Sequence, residues 1–570
     1  MSPNTQAPDG ERGLVTQPIA RTAGWMMSVA LLGLVAAPAL ASAQDGPLTR
    51  ADTLRGTITP ERAWWDVVYY DLALKVNPAD SSVSGSTSIY YAITGTPRDM
   101  QIDLAANMRV DSITQGDKVE YRRDGDAIIA SPRRPAVGGP SMVKVFFSGK
   151  PRVAPNAPWD GGFVWTRDPR GNPWVATAVQ GDGASLFWPN KDIQSDEPDS
   201  MRIRVTVPSS MVDVSNGRLE NTARNADGTT TYTWRVTNPI NNYNVTINAG
   251  NYVHFGERFD GAAGPLDLDY WVLEQNLEPA KKQFEQVKPM LRCFESWFGP
   301  YPFYEDGFKL VETPHLGMEH QSAIAYGNRF MNGYRGQDLS RTGLGLSWDY
   351  IIVHEAAHEW WGNNITTDDI ADMWVHEGFG SYAEGIYVEC EQGKEAGARY
   401  LVGLRNSIDN REPVTGIYGV NREGSGDMYP KGANLLHTLR QVVQDDALWR
   451  SILVGLNTTF RHQTVTSAEV EAYMSRRANK DFSKVFEQYL KHAALPVLEY
   501  SIDSGTLRYR WRANVNGFDL PVRVTVGGGR YAWIQPVTGA WKTQAVMVSA
   551  DDFEVDENFY VAVQEVRPGR

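Results

Sequence analysis

The hydrophobic period of this sequence changes twice along the chain, and the changes divide it into three blocks. From residue 46 to 260 apolar and polar residues alternate, which is typical of strands with one buried face. From 261 to 495 apolar residues recur at helical spacing, in stretches at 278–298, 343–363, 375–391, 394–408, 431–443 and 481–492. Residues 496–570 return to alternation. We therefore expect a multidomain α+β protein with an N-terminal antiparallel β domain, an α-rich domain and a small C-terminal β-sandwich-like module.

The first 43 residues have the pattern of an export signal. An apolar run over 25–40 is followed by Ala41-Ser42-Ala43, the small-x-small pattern that a signal peptidase accepts. The run is shorter than the about 20 residues that a bilayer span needs. We expect residues 1–43 to be a signal peptide and the protein to be exported, periplasmic or extracellular, with no stable membrane span after processing. A retained membrane anchor is the alternative.

The composition argues against a nucleic-acid partner and against a disulfide scaffold. The 55 basic and 68 acidic side chains leave a net charge of −13, whereas phosphate binding needs a clustered positive face. The two cysteines, Cys293 and Cys390, are too few to staple a scaffold, so a hydrophobic core must stabilise the chain. Both lie in segments with helical patterning, and we expect two buried thiols.

A metal site is indicated by the pattern His-Glu-Ala-Ala-His over residues 354–358. Histidines at i and i+4 lie one helical turn apart on the same face, so His354 and His358 can bind one tetrahedral zinc ion. Glu355 lies beside such a metal, where it can take a proton from the bound water. Two solvent-facing histidines on an amphipathic helix are the alternative.

A third ligand is predicted in the next helix. Glu377 follows His358 after 18 intervening residues, and a two-helix hairpin would bring it back to the metal. Glu384 falls on the same face two turns later, and we assign it the role of orienting a ligand through a hydrogen bond. An ordinary exposed helix glutamate is the alternative for Glu384. His376 points to another face and is interpreted as structural.

With these motifs the sequence resembles the gluzincin metallo-aminopeptidases of the aminopeptidase N and leukotriene hydrolase type. The spacing of the three ligands matches, with Glu377 inside Trp-Val-His-Glu-Gly-Phe at 374–379. Further matching segments run from about residue 180 to 440. They are Gln180, Asp-Glu-Pro at 196–198, Phe-Gly-Pro-Tyr-Pro-Phe at 298–303, Leu-Gly-Met-Glu-His at 316–320 and Tyr-Pro-Lys-Gly-Ala at 429–433.

The resemblance implies a thermolysin-like fold for the α-rich domain and a catalytic role for several residues. One Zn2+ would be held by His354, His358 and Glu377. Glu355 would act as general base and then as general acid toward the leaving amine. Tyr429 would hydrogen-bond the oxyanion of the tetrahedral intermediate. Its position before Pro430, which suits the first residue of a helix, agrees with a phenol at a helix entrance.

The resemblance also implies how a substrate is held. Glu319 would bind the free α-ammonium group with help from Gln180, and the backbone of Gly317 and Met318 would contact the peptide. A fixed carboxylate at a closed end of the cleft favours a terminal cation and excludes further residues. The function implied is a zinc-dependent aminopeptidase that hydrolyses the N-terminal residue from peptides with a free N-terminus by attack of a zinc-activated water.

Two departures from the family pattern affect these expectations. The segment at 316–320 replaces the family's Gly-Ala-Met-Glu-Asn at three positions, with His320 in place of Asn, so we expect a first subsite of different shape. After the α-rich domain only 496–570 remain, so we expect no large C-terminal helical domain over the cleft. A more open cleft that accepts longer peptides follows from this expectation.

Two other functions fit parts of the sequence. A thermolysin-like endopeptidase would share the zinc motif, but it would leave open the end of the cleft that Glu319 is expected to close. A peptide-binding or structural protein without catalysis would not need to keep the three zinc ligands together with Glu355 and Tyr429. Turnover of an N-acetylated peptide would favour the endopeptidase, and absence of both zinc and turnover would favour the binding protein.

Overall fold

The computed structural model describes residues 47–133 and 141–566. The predicted signal peptide at 1–43 lies outside these residues. No helix in the described ranges has the length and apolar character that a bilayer crossing requires.

The first block is built almost entirely of strands. Within the described residues it contains helix α1 (Arg50–Gly56) and strands β1 (Trp65–Asn77), β2 (Ser82–Ile93), β3 (Met100–Asp103), β4 (Met108–Gln115), β5 (Asp117–Lys118), β6 (Tyr121–Asp124), β7 (Ala127–Ala130), β8 (Ser141–Gly149), β9 (Gly162–Arg167), β10 (Pro173–Ala178), β11 (Ser200–Pro208), β12 (Val212–Val214), β13 (Arg218–Arg224), β14 (Thr229–Val236) and β15 (Asn248–Gly250).

One large sheet in this block has the strand order β13-β14-β11-β1-β2-β8-β4-β5. Its neighbours pair antiparallel, except that β1 and β11 run parallel with Leu72 opposite Ile203. Alternate residues of both strands are buried, which explains the alternation in the sequence. A smaller sheet has the strand order β12-β15-β10-β9. Its strand β10 ends at Ala178, two residues before Gln180. The β-rich character predicted for the block is confirmed.

The second block packs helices against a mixed sheet. Its elements are β16 (Tyr252–Gly261), β17 (Gly264–Leu273), α2 (Leu277–Gln283), α3 (Val287–Phe298), β18 (Phe308–Glu312), β19 (Gly317–Met318), β20 (Ile324–Tyr326), α4 (Tyr350–Ala357), β21 (Ile365–Thr367), α5 (Trp374–Gln392), α6 (Lys394–Leu404), α7 (Pro430–Val443), α8 (Asp446–Thr459), β22 (Gln463–Val465), α9 (Ser467–Ala478) and α10 (Ser483–Lys491). The sheet order is β16-β17-β18-β20-β19, which places β19 at one edge. The predicted α-rich character is confirmed.

The domain bounds at 46–260, 261–495 and 496–570 stay predictions. The hairpin of β16 and β17 crosses the predicted bound at 260, because its register pairs Tyr252 with Leu273 and Gly261 with Gly264. The second block would therefore begin at β16, where this sheet starts.

The third block is a small β module on the helices of the second. Its strands are β23 (Val497–Asp503), β24 (Thr506–Arg512), β25 (Val522–Gly527), β26 (Arg530–Ile534), β27 (Lys542–Ala545) and β28 (Ala562–Glu565). A sheet of order β27-β24-β23-β28 stands beside the β25-β26 hairpin. The Tyr489 hydroxyl of α10 donates to the Tyr560 carbonyl at 2.6 Å, so hydrogen bonds join the module to the helices. The apolar side chains of both blocks form one continuous core.

The prediction of two buried thiols is wrong. Cys293 of α3 and Cys390 of α5 form a disulfide across 97 residues of sequence, and Cys390 is exposed. Helical periodicity assigns a residue to a face of its own helix but does not show which helix packs beside it. The side-by-side packing of α3 and α5 brings the two sulfur atoms together.

Candidate metal centre and cleft

Helix α4 and the turn after it present the two histidines. Asp349 caps the helix, since its carboxylate accepts hydrogen bonds from the backbone N–H of Ile351 at 3.1 Å and of Ile352 at 3.4 Å. His358 lies at the C-terminal end, where the chain leaves helical geometry. Gly362 in this turn has φ +135°, which side chains rarely adopt, and a Cβ there would lie 3.3 Å from His376 Nδ1, so the turn favours glycine.

The structure brings together three atoms that could bind one metal ion. His354 Nε2 and His358 Nε2 are 3.3 Å apart, and Glu377 Oε2 lies 3.6 and 3.4 Å from them. All three side chains are buried, and Glu377 Oε2 has no hydrogen-bond partner in the described part of the chain. Two atoms each about 2.05 Å from a tetrahedral zinc are separated by about 3.4 Å, so this donor set fits zinc.

Hydrogen bonds at Nδ1, the ring nitrogen that does not face the other ligand atoms, orient both imidazole rings. His354 Nδ1 lies 2.7 Å from Glu384 Oε1, and the other oxygen of Glu384 accepts from the Tyr400 hydroxyl at 2.7 Å. His358 Nδ1 lies 2.9 Å from the carbonyl oxygen of Trp361. These acceptors favour a proton on each Nδ1 and leave the Nε2 lone pairs for a metal. Glu384 thus lies within hydrogen-bond distance of His354, and its role in orienting a metal ligand stays a prediction. The backbone acceptor at Trp361 has no sequence signal.

Helix α5 supplies Glu377 and approaches the rings closely. A Cβ at Gly380 would lie 3.0 Å from His358 Cε1, which is tighter than ordinary side-chain contacts. The imidazoles hold the pKa of Glu377 below its usual value: burial alone would raise it, but the attraction of the adjacent His358 and His354 rings outweighs burial. His376, the neighbour of Glu377, accepts a hydrogen bond from the Thr367 N–H at 3.0 Å, away from this centre.

Glu355 lies in the cleft beside the metal ligands, as its place in the motif predicted. A Cβ at Gly317 would lie 2.7 Å from Glu355 Oε1, so the strand β19 passes directly by this carboxylate. Burial raises the pKa of Glu355 to about 7, against the opposing effect of the His354 charge. A carboxyl group that titrates near neutral pH can both accept and return a proton.

Tyr429 stands at the entrance of α7, with Pro430 as the first helical residue. Its ring stacks near that of His354, with centroids 6.2 Å apart. Burial, followed by the nearby Glu377 carboxylate, raises the pKa of Tyr429 well above the ordinary value. The phenol therefore stays protonated and can donate a hydrogen bond into the cleft.

Glu319 follows β19 and carries a buried carboxylate. Its Oε1 has no hydrogen-bond partner among the described residues, and burial raises its pKa while the His358 charge lowers it. A buried carboxylate without a cationic partner fits a positively charged ligand group. Gln180, Gly317 and Met318 line the same cleft, which has a volume of about 500 Å3.

The predicted cleft residues thus meet in one place, and Glu384 lies directly behind His354. Several lining residues carry no motif and were missed by the sequence analysis, because isolated loop residues give no periodic signal. Arg152 and Asp182 form a two-point ion pair at 3.1 and 3.0 Å, and Asn421 donates to the Gly181 carbonyl at 3.1 Å. The ion pair lies within the first block, whereas the Asn421 hydrogen bond joins the second block to the first at the cleft.

Comparison with known proteins agrees with this site. Residues 282–489 match the model of the peptidase family M1 domain. Aminopeptidase N of Lactococcus lactis subsp. lactis is 27% identical over 236 residues, covering 36% of this chain and 27% of that protein. Leukotriene A-4 hydrolase of Xenopus laevis is 24% identical over 219 residues, covering 36% and 34%. The chain spans from about a fifth to less than half of the length of the curated relatives that it matches.

Solved structures show the same fold. An M1 zinc metallopeptidase from Deinococcus radiodurans, bound to a Tyr-Ser-Ala substrate, superposes with a TM-score of 0.64 at 20% identity, covering 78% of this chain and 98% of that one. A two-domain M1 zinc metallopeptidase bound to L-tryptophan superposes equally well, with a TM-score of 0.64 at 21% identity, covering 76% and 96%. The domain matched at residues 282–489, the relatives and the shared fold together support the M1 gluzincin aminopeptidase family as the one that this chain resembles.

Proposed function

We propose that this chain is a zinc-dependent aminopeptidase that removes one residue at a time from peptides with a free N-terminus. The observation that carries the proposal is the position of Glu319. Its buried carboxylate lines the same cleft as Glu355 and the three metal-ligand atoms, so an α-ammonium group bound there places the first peptide bond beside the metal.

The metal is one Zn2+, the ion that resemblance to this family implies. His354, His358 and Glu377 would hold it through the three atoms described above. When bound, zinc supplies Lewis acidity that polarises the scissile carbonyl group and acidifies a water molecule.

The protein's own residues would move the protons and hold the substrate. Glu355 takes a proton from the attacking water at a carboxylate oxygen and passes it to the nitrogen of the leaving amine. The Tyr429 hydroxyl donates a hydrogen bond to the carbonyl oxygen as negative charge develops on it. Glu319, with Gln180, binds the α-ammonium group, while Gly317 offers backbone to the peptide beside Glu355.

Longer peptides are the proposed substrates. The cleft volume of about 500 Å3 falls within the range of about 300–1,000 Å3 for sites that enclose a drug-sized ligand, so there is room for more than a single amino acid. A decapeptide would then be hydrolysed with at least the kcat/KM of a dipeptide that has the same first residue. A strong preference for the dipeptide would contradict this part of the proposal.

The central test compares amino-acyl anilides with their N-acetylated forms on protein of measured zinc content. We expect about one zinc per chain, hydrolysis of the free-amine substrates, loss of hydrolysis on chelation and recovery on adding zinc. Turnover of N-acetylated peptides at similar rates would instead identify an endopeptidase. A protein without zinc or turnover that still binds peptides would identify a binding protein.

Export of the protein is also proposed. The Cys293–Cys390 disulfide fits an oxidising compartment, which supports a chain that leaves the cytoplasm. Cell fractionation should find the mature chain outside the cytoplasm, and sequencing of its N-terminus should begin at Gln44. A chain that keeps residues 1–43 in the membrane fraction would show the retained anchor instead.

A further inference from the structure

The carboxylate of Glu319 is placed both by its backbone and by a contact with the Tyr243 hydroxyl. Its Oε1 lacks a hydrogen-bond partner in the described part of the chain. The strand that precedes it, β19, is only two residues long, at the edge of its sheet. The contacts of the segment 319–322, which we call the anchor segment, therefore help to decide where this carboxylate lies in the cleft.

The turn after His358 makes two of these contacts. The Asn363 side chain donates from Nδ2 to the backbone carbonyl of Glu319 at 2.8 Å. The backbone N–H of Ser322 donates to Glu359 Oε1 at 2.9 Å. Glu359 is the residue directly after the ligand His358, so the turn that begins at a metal ligand is bonded to both ends of the anchor segment.

Both contacting side chains are themselves held from other directions. Glu359 Oε2 accepts from the Tyr301 hydroxyl at 2.7 Å, and Glu359 Oε1 also accepts from Asn363 Nδ2 at 3.3 Å. Asn363 Oδ1 accepts from Asn244 Nδ2 at 2.9 Å. Glu359 and Asn363 are 0% and 2% exposed, so their bonds are not exchanged with water.

The anchor segment keeps an unfavourable backbone conformation at Ser322, where φ is +54°. Non-glycine residues seldom adopt this left-handed region, and they keep it only where surrounding contacts require it. Here the Ser322 N–H is bonded to Glu359, and the Ser322 hydroxyl accepts from the Gly217 N–H at 2.9 Å. Glu359 is thus one of two contacts that impose the bend.

We propose that Asn363 and Glu359 are positioning residues that set the distance between the metal centre and the Glu319 carboxylate, and so make cleavage stop after one residue. The inference rests on the proposed function. If the anchor segment shifted relative to the metal, an α-ammonium group bound to Glu319 would no longer place the first peptide bond at the reacting centre.

The test is Asn363→Ala, with Asn364→Ala as the matched control. Asn364 is the neighbouring buried residue of the same type, but its side chain bonds to Asn457 of α8 at 3.0 Å and not to the anchor segment. For an amino-acyl anilide we expect Asn363→Ala to raise KM by about tenfold or more, with unchanged zinc content. For the analogue that lacks the amino group, kcat/KM should not change. Asn364→Ala should keep the parent's ratio between the two substrates even if it lowers the melting temperature.

Glu359 allows a rescue experiment. In Glu359→Gln the amide oxygen can still accept from Ser322 and Asn363, and its nitrogen can donate to the Tyr301 hydroxyl, so amine preference should remain. In Glu359→Leu, of similar size, amine preference should fall as in Asn363→Ala. Binding of L-leucine against its desamino analogue, measured by calorimetry on zinc-loaded protein, gives the same comparison without turnover.

The outcomes separate the two proposals. A parent protein with no amine preference in turnover or binding would overturn the proposed function and this inference with it. If the parent has the amine preference and both Asn363→Ala and Glu359→Leu keep it, this inference alone would be overturned. Equal losses on substrates with and without the amine would also overturn it, since they would indicate a purely structural role.

Discussion

Glu384 Oε1 lies 2.7 Å from Nδ1 of His354, a residue thirty positions earlier in the chain. Because the carboxylate accepts a hydrogen bond from Nδ1–H, it orients the ring and raises the basicity of Nε2, the nitrogen that would bind the metal. We expect Glu384→Ala to weaken zinc binding by about 10–100-fold. Competition with a chelator of known affinity measures this change. Tyr400→Phe removes only the hydroxyl that supports Glu384 and should weaken zinc binding less; equal zinc affinity in parent and Glu384→Ala would contradict the assignment.

Tyr429→Phe should lower kcat by a factor of about 10²–10³, the effect of one lost oxyanion donor, and leave zinc content unchanged. The reason is that the phenol stays protonated in its buried site beside Glu377. Steady-state kinetics on an amino-acyl anilide gives the result. Tyr334→Phe, which removes the hydroxyl of another tyrosine that lines the cleft, serves as the control and should keep most of the activity. A fully active Tyr429→Phe would show that another group binds the oxyanion.

Glu319→Ala should lower kcat/KM for free-amine substrates by about 10²-fold, since the α-ammonium group loses a buried, charged partner. Substrates without the amino group should lose little or nothing. The measured quantity is the ratio of kcat/KM between each anilide and its desamino analogue. If that ratio stayed at the parent value, amine recognition would have to lie elsewhere.

The double variant Cys293→Ser/Cys390→Ser should lower the free energy of unfolding by about 2–4 kcal/mol, because the disulfide closes a loop of 97 residues in the unfolded chain. Urea denaturation of the two proteins compares their free energies. The parent in reductant provides the control, and it should approach the variant. Activity at low temperature should be kept, since neither cysteine lines the cleft.

Stability should also fall in mild acid, in part through His437. Burial lowers the pKa of this imidazole from 6.5 to about 4, and its Nε2 lies 2.9 Å from Asn558 Oδ1 in the third block. Below pH 6.5 the unfolded chain binds a proton that the folded chain excludes, so stability is lost as pH falls from 6.5 toward 4. The full loss for one such group is about 3 kcal/mol.

The variant His437→Gln measures this contribution, because a glutamine can still donate to Asn558 but does not titrate. Urea unfolding at pH 7 and pH 5 should show a smaller decrease in stability for His437→Gln than for the parent. Burial also lowers the pKa of His315 to about 4. Because His315 is still present in the variant, part of the decrease in stability between pH 7 and pH 5 should remain. An identical pH dependence in both proteins would mean that His437 is protonated in the folded chain.

Local spacing was enough to predict much of the metal centre. One helical turn separates His354 from His358 in any α-helix, so their shared face follows from the sequence. Glu384 follows Glu377 by two helical turns within α5, so these two residues also share a face. The helical stretch predicted at 343–363 was too long, because α4 spans only Tyr350–Ala357 and Gly362 breaks helical geometry at a positive φ. Helices α8 and α9 were not predicted.

Contacts between distant segments depend on packing, which periodicity does not encode. The parallel pairing of β1 with β11, the disulfide between α3 and α5, and the bond from Asn363 to the carbonyl of Glu319 join residues far apart in sequence. The order of α and β blocks, the motif and its two histidines could be read from the amino acids, because they depend on spacing within a single element. The position of the Glu319 carboxylate relative to the metal ligands was decided only in three dimensions, because it depends on which buried side chains meet once the two blocks close around the cleft.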